Sequence, residues 1–213
     1  IDIINMKEYL KNMSFLMINS KVKLGCNICD KCCINRGDIK LTPINVIQIS
    51  EYLNISIPDF LEKYTNKLED EPLEIVLKPI GIKKRCILND EKTNMCTIHS
   101  VKPMQCVTFP LVPVDLKNDI FFNQDTCVCD EKKEMKVIDW LNGKNGIYVK
   151  YKKIYLEWIE LIENLQQHWD EYSQNEKDEI YKILFLNYRQ GEKNIKKAVR
   201  KNFRMIKKMY YKK

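Results

Sequence analysis

Apolar residues recur at near-helical spacing from about Asn5 to Ser20, with Met6, Leu10, Met13, Met17 and Ile18 on one side, and this spacing predicts an opening amphipathic helix. The periodicity breaks between Lys23 and Asp38, a stretch that reads as a loop. It resumes at Thr42-Pro43, an N-cap followed by proline at the first helical position, with Val46, Ile47, Ile49, Tyr52 and Leu53 as the buried face. Ser56 is placed to cap a second short helix, with Pro58 and Asp59 in its first turn and Phe60, Leu61 and Tyr64 facing inward. After Pro72 the pattern shortens. Leu73 to Ile80 and Arg85 to Leu88 are rich in β-branched residues and bounded by turn formers, which predicts strands. Leu111 to Leu116 and Ile120 to Asn123 flank Lys117-Asn118-Asp119 as a hairpin, and Pro113 confines its strand to a sheet edge. From Ile147 onward the pattern is helical: Val149 to Trp169, Glu176 to Tyr188 and Glu192 to Tyr210, with Gly191 a natural stop between the last two. The predicted class is α+β. An N-terminal helix (1–22) precedes a small cysteine-rich domain of short strands and helices (23–135), and a helical region (136–213) follows, whose helices are expected to pack against the first.

The chain has 213 residues, 45% apolar and 31% charged, a globular composition. No apolar run reaches the roughly 18 residues that would span a bilayer, so no transmembrane segment is expected. The start shows no basic, apolar and small-residue succession of a secretory signal, and a cytoplasmic location is the expectation. Of the net charge of +7, the segment from Glu192 to Lys213 contributes +9 and the preceding residues −2. The basicity therefore belongs to the last helix. There Ile195, Val199, Phe203, Ile206 and Tyr210 form an apolar stripe among lysines and arginines. Such a helix either completes the helical core or presents its charge to an acidic protein partner or protein substrate; nucleic acid is the less favoured ligand.

Chemistry is concentrated in the nine cysteines. An odd number, with Cys26, Cys29, Cys32 and Cys33 crowded into one loop, argues against a disulfide framework and for metal. The two-residue gaps of Cys26-x-x-Cys29-x-x-Cys32-Cys33 let a tight loop direct three thiolates into one concave space. A C-x-x-C-x-x-C run completed by a remote cysteine is the arrangement that wraps a cubane [4Fe–4S] cluster, whereas structural zinc more often joins two separated pairs. Cys26, Cys29 and Cys32 are thus expected as ligands, and Cys33, Cys86, Cys96, Cys106 and Cys127 share the remaining positions. Iron–sulfur is preferred and zinc is the alternative. Cys129 reads as an ordinary buried cysteine. His99, three residues after Cys96, is expected to support the site through a hydrogen bond, and His168 to be structural. Acidic runs such as Glu69-Asp70-Glu71 read as solvated surface, and the six glycines form neither a dinucleotide fingerprint nor a phosphate loop.

The ordered succession Cys26-x-x-Cys29-x-x-Cys32-Cys33, Gly37-Asp38-Ile39-x-Leu41-Thr42, Cys86, Cys96-x-Ile98-His99, Lys102-Pro103-x-x-Cys106-x-x-Phe109-Pro110 and Cys127 resembles the YkgJ-type cysteine-cluster family over about residues 23–130. The resemblance implies a zinc- or iron-chelating domain. Lys102 stands where that family usually has arginine, and Val107 where it often has a basic residue. Lysine keeps the charge without the planar fork, which suits neutralising a thiolate cluster. That family in turn resembles the cysteine domain of flagellin lysine methylases, a likeness that implies an iron–sulfur cluster working with S-adenosylmethionine. Three classes stay open on the sequence: a transferase or redox enzyme with an open iron position, a zinc-closed interaction module, and an electron carrier.

Overall fold

The computed structural model describes residues 15–25, 30–68, 71–124, 132–142 and 146–211. The chain enters on β1 (Phe15–Met17), turns through Asn19 and Ser20, and runs into β2 (Lys21–Leu24). The helix predicted to Ser20 is therefore corrected over its described part; residues 5–14 lie outside the described residues. The reason lies in pairing. Phe15, Leu16 and Met17 find partners in Phe122, Phe121 and Ile120. The Ser20 hydroxyl accepts from Met17 N at 2.9 Å while Ser20 N donates to Met17 O at 2.9 Å, closing a turn no helix would contain.

After a 3₁₀ turn over Asp30–Cys33 and a short β3 (Lys40–Leu41), α1 spans Pro43–Tyr52. Thr42 caps it through a reciprocal box, its hydroxyl accepting from Asn45 N and the Asn45 side chain accepting from Thr42 N. Ser56 caps α2 (Ile57–Tyr64) as its position predicted, accepting from Asp59 N. β4 (Thr65–Lys67) then pairs with β5 (Ile75–Leu77), which also carries β3 on its other side. β6 (Pro79–Ile80) and β7 (Arg85–Cys86) form a two-stranded ladder, α3 spans Met104–Thr108, and β8 (Leu111–Asp115) and β9 (Ile120–Asn123) form the predicted hairpin. The sheet order β1-β9-β8 puts β8, with Pro113, at an edge. β10 (Lys133–Lys136) pairs antiparallel with β2, setting Lys133 opposite Leu24. Short strands at β3, β4 and β10, and the short helix α3, carry too few residues for a periodic signal.

The helical region comprises α4 (Val137–Asn142), α5 (Ile147–Gln167), α6 (Gln174–Tyr181) continued by a π-helical turn over Lys182–Leu186, and α7 (Ile195–Met209). Its core is aromatic. Trp158 of α5 meets Phe185 edge-on and stacks on Phe203 of α7, each at 5.8 Å between ring centres. Asn202, buried on α7, donates to the carbonyls of Ile183 and Asn187, which the π-helical turn presents. The region packs on α1: Gln48 donates to the Tyr151 hydroxyl and Glu51 accepts from Glu192 N. One continuous apolar cluster thus runs from Leu24 to Tyr210, uniting the strands, α1 and α7. The stripe predicted on the last helix is consumed by this core, with Val199, Phe203 and Ile206 all buried. Among the described residues, no helix is long and apolar enough to cross a membrane.

Candidate metal centre

Four separate pieces of chain bring cysteines to one place. The 3₁₀ turn carries Cys32 and Cys33, their sulfurs 4.0 Å apart. Just beyond it Asn35 takes a positive φ of 56°, and Asn35 N and Arg36 N donate to the carbonyls of Lys83 and Lys84. That strap holds the cysteine turn against the bend that leads into β7, whose last residue is Cys86. From Cys86 the chain makes an excursion and returns at Cys96, which bridges Asn89. The excursion is closed by Asp90 N donating to Met95 O and Thr97 N to Leu88 O, and the Asp90 carboxylate caps its tip by accepting from Lys92 N and Thr93 N. Cys106 lies on α3, started by Lys102-Pro103. Gln105 of the same helix accepts from Lys40 N at 3.1 Å and donates to Asp38 at 3.2 Å, fastening α3 to the segment after the cysteine turn.

Cys32, Cys33, Cys86, Cys96 and Cys106 all line one open cavity of about 670 Å³, together with Arg36, His99 and Lys102 and an apolar wall that includes Ile39, Leu77 and Phe109. Sequence reasoning singled out all five cysteines, Lys102 and His99 but missed Arg36. Its guanidinium is largely buried, pairs with Asp38 at 2.7 Å and lies over the Phe109 ring at 5.6 Å. A basic residue three places after a cysteine pair was the available signal. Cys26, Cys29, Cys127 and Cys129 lie outside the described residues. His168 faces Glu171 at 2.6 Å on the surface, in keeping with its structural reading.

Electrostatics divide the five sulfurs. The hydrogen bond from Cys33, with help from the charges of Lys102 and Arg36, lowers the Cys32 thiol to about 6. The same bond raises Cys33, and burial adds to the effect. Burial pushes Cys86 up to about 11 and Cys106 up to about 12, and raises Cys96 as well. Burial thus disfavours ionisation of Cys86, Cys96 and Cys106, and added positive charge favours it, which is the condition a bound metal satisfies. The five sulfurs line the cavity without meeting at a point: among the described residues, no group of three His, Cys, Asp or Glu side chains is gathered tightly enough to hold a metal ion.

A model of the CxxCxxCC family, described as a "putative zinc- or iron-chelating domain", matches residues 25–136, just over half of the chain. The chain belongs to the CxxCxxCC family. The matched span begins one residue before Cys26 and ends with β10, so the CxxCxxCC domain contains the whole sulfur-lined cavity and leaves α4 to α7 outside it. Metal binding by the cysteines is the function that membership supports. No solved structure matches the chain.

Proposed function

We propose that the cysteines of the CxxCxxCC domain hold iron–sulfur, with a [4Fe–4S] cubane as the favoured form, and that the protein acts through that cluster. The observation that carries this reading is that five cysteines, spread from Cys32 to Cys106, line one cavity together with two cations. A mononuclear zinc site is complete with four ligands, so five thiols in one cavity exceed its need before Cys26, Cys29 and Cys127 are counted. Polynuclear iron accommodates the surplus, either in one larger site or in two. Arg36 and Lys102 supply the positive charge that an anionic thiolate cluster requires in a partly apolar cavity.

When bound, such a cluster supplies one-electron chemistry and, where an iron is left open, a Lewis-acidic position. The cysteines of this chain would hold it and Arg36 and Lys102 neutralise it, with Ile39, Leu77 and Phe109 as an apolar wall. Purification without oxygen tests the proposal: the protein should be brown, absorb broadly near about 400 nm and contain roughly four irons with equivalent sulfide per cluster. Replacing Cys106 with Ser should lower iron and sulfide, whereas Cys129→Ser should not. A colourless protein with stoichiometric zinc overturns the choice of metal. Methyl transfer would need an open iron, and S-adenosylmethionine is the cosubstrate the methylase resemblance implies. A change in the electron paramagnetic resonance of the reduced protein on adding it is the measurement for that step.

A further inference from the structure

Three of the seven cations on α7 are engaged with the rest of the fold. Arg200 grips Glu157 of α5 with its fork, Nε at 2.8 and 3.1 Å and Nη2 at 2.8 Å. Lys207 pairs with Glu160 at 2.7 Å, and Lys196 lies 5.9 Å from the centre of the Tyr151 ring. These side chains are engaged in holding α7 onto the fold. Lys197, Lys201 and Arg204 are exposed, and among the described residues none of them has an acidic partner. Their spacing of four and three residues puts them on one face of the helix. With Arg189 from the preceding loop they line an open cleft of about 1170 Å³, whose wall also includes the exposed Leu186. This cleft is separate from the sulfur-lined cavity and shares no residue with it.

We propose that this cleft is a docking site for an acidic polypeptide segment carrying aliphatic side chains among its carboxylates. Charge complementarity carries the assignment: Arg189, Lys197, Lys201 and Arg204, none with an acidic partner among the described residues, line one concavity, while Arg200 and Lys207 are matched on the fold. The apolar face of α7 is spent on the core through Val199, Phe203 and Ile206, and the one large apolar side chain the helix leaves exposed, Met209, is too little to lay into a lipid surface. From Lys197 to Arg204 the helix rises about 10 Å, the reach of three or so residues of extended peptide. Leu186 offers that peptide an apolar contact, which the regularly charged backbone of a nucleic acid does not use.

The test uses the whole chain and a fluorescein-labelled peptide of alternating Glu and Leu. Fluorescence anisotropy should report saturable binding that weakens as salt is raised. Lys197→Glu/Lys201→Glu/Arg204→Glu should reduce the affinity by about tenfold or more while the melting curve stays near that of the parent, since none of the three is paired. Should the triple variant fail to fold, Lys201→Glu alone is measured, with a smaller loss in the same direction. Equal binding by parent and variant, or no binding by either, overturns the proposal. So does tighter binding of a single-stranded oligonucleotide or of phosphatidylglycerol vesicles that the same charge reversal abolishes, because the partner would then be of another class.

Discussion

Replacing Phe203 with Ala should unfold the helical region's contribution to the core without touching the sulfur-lined cavity. Phe203 is only 4% exposed and stacks on Trp158 at 5.8 Å, so its ring is removed from water nearly completely. Burying such a side chain contributes about 1.5–3 kcal/mol by transfer alone. The aromatic pair adds about 0.5–1.5 kcal/mol. The hole left behind sits where α7, α5 and α1 meet, a region already containing a small void lined by Trp158, Val199, Phe203 and Met104. Elements anchored on three sides collapse poorly into a hole, which places the loss in the upper part of the range for such truncations, about 3–5 kcal/mol. In a chain of this size that corresponds to a fall in melting temperature of roughly 6–20 °C. Reversible denaturant unfolding, followed by tryptophan fluorescence and circular dichroism, reads it directly. Because Phe203 does not line the cysteine cavity, metal content measured well below the melting temperature should match the parent. A loss under about 1 kcal/mol would refute the packing of α7 described above, and would mean that its apolar stripe is free to serve a partner instead. Loss of metal from protein shown to be folded would refute the independence of the two regions.

Two other perturbations test the site and the helix ends. Arg36→Gln removes a largely buried positive charge beside Cys32, Cys86 and Cys106. With the proposed cluster bound, a nearby cation would favour its reduced, more negative state, so the variant's reduction potential should fall and Arg36→Lys should restore part of it; a potential unmoved by either change would show that Arg36 acts only on the loop. At the end of α7, burial and the hydrogen bond to Glu179 push the Tyr210 hydroxyl up to about 12. A raised pKa means that the folded state holds the proton more tightly, so this stabilisation is complete below the ordinary value near 10 and is lost as pH climbs through about 12. Alkaline unfolding should therefore be shallower between those limits in Tyr210→Phe, and an identical pH profile would show that Tyr210 does not contribute to it.

The candidate ligands were legible in the sequence because metal chemistry demands particular residue types at close spacing, and Cys26, Cys29, Cys32 and Cys33 show that without any fold. The caps at Thr42 and Ser56, the edge strand with Pro113 and the long terminal helices were legible for a related reason: each is set by local stereochemistry or by a period repeated over many residues. Phe15 to Met17 shows where such reasoning fails. Its apolar residues fit a helical spacing, but the hydrogen bonds that decided its form come from Ile120 to Phe122, a hundred residues away. The same distance separates a list of cysteines from a cavity. Cys32 and Cys33 reach Cys86 only because Asn35 and Arg36 pair with Lys83 and Lys84, and Arg36 becomes part of the site only because Phe109 and Asp38 hold its guanidinium there. On α7 the sequence disclosed how many charges there are. Which of them are spent, Arg200 on Glu157 and Lys207 on Glu160, and which have no acidic partner among the described residues around the second cleft was decided by the packing of α7 on α5. Local periodicity and residue chemistry act within a few residues and can be read along a chain; partnership across it exists only once the core has closed.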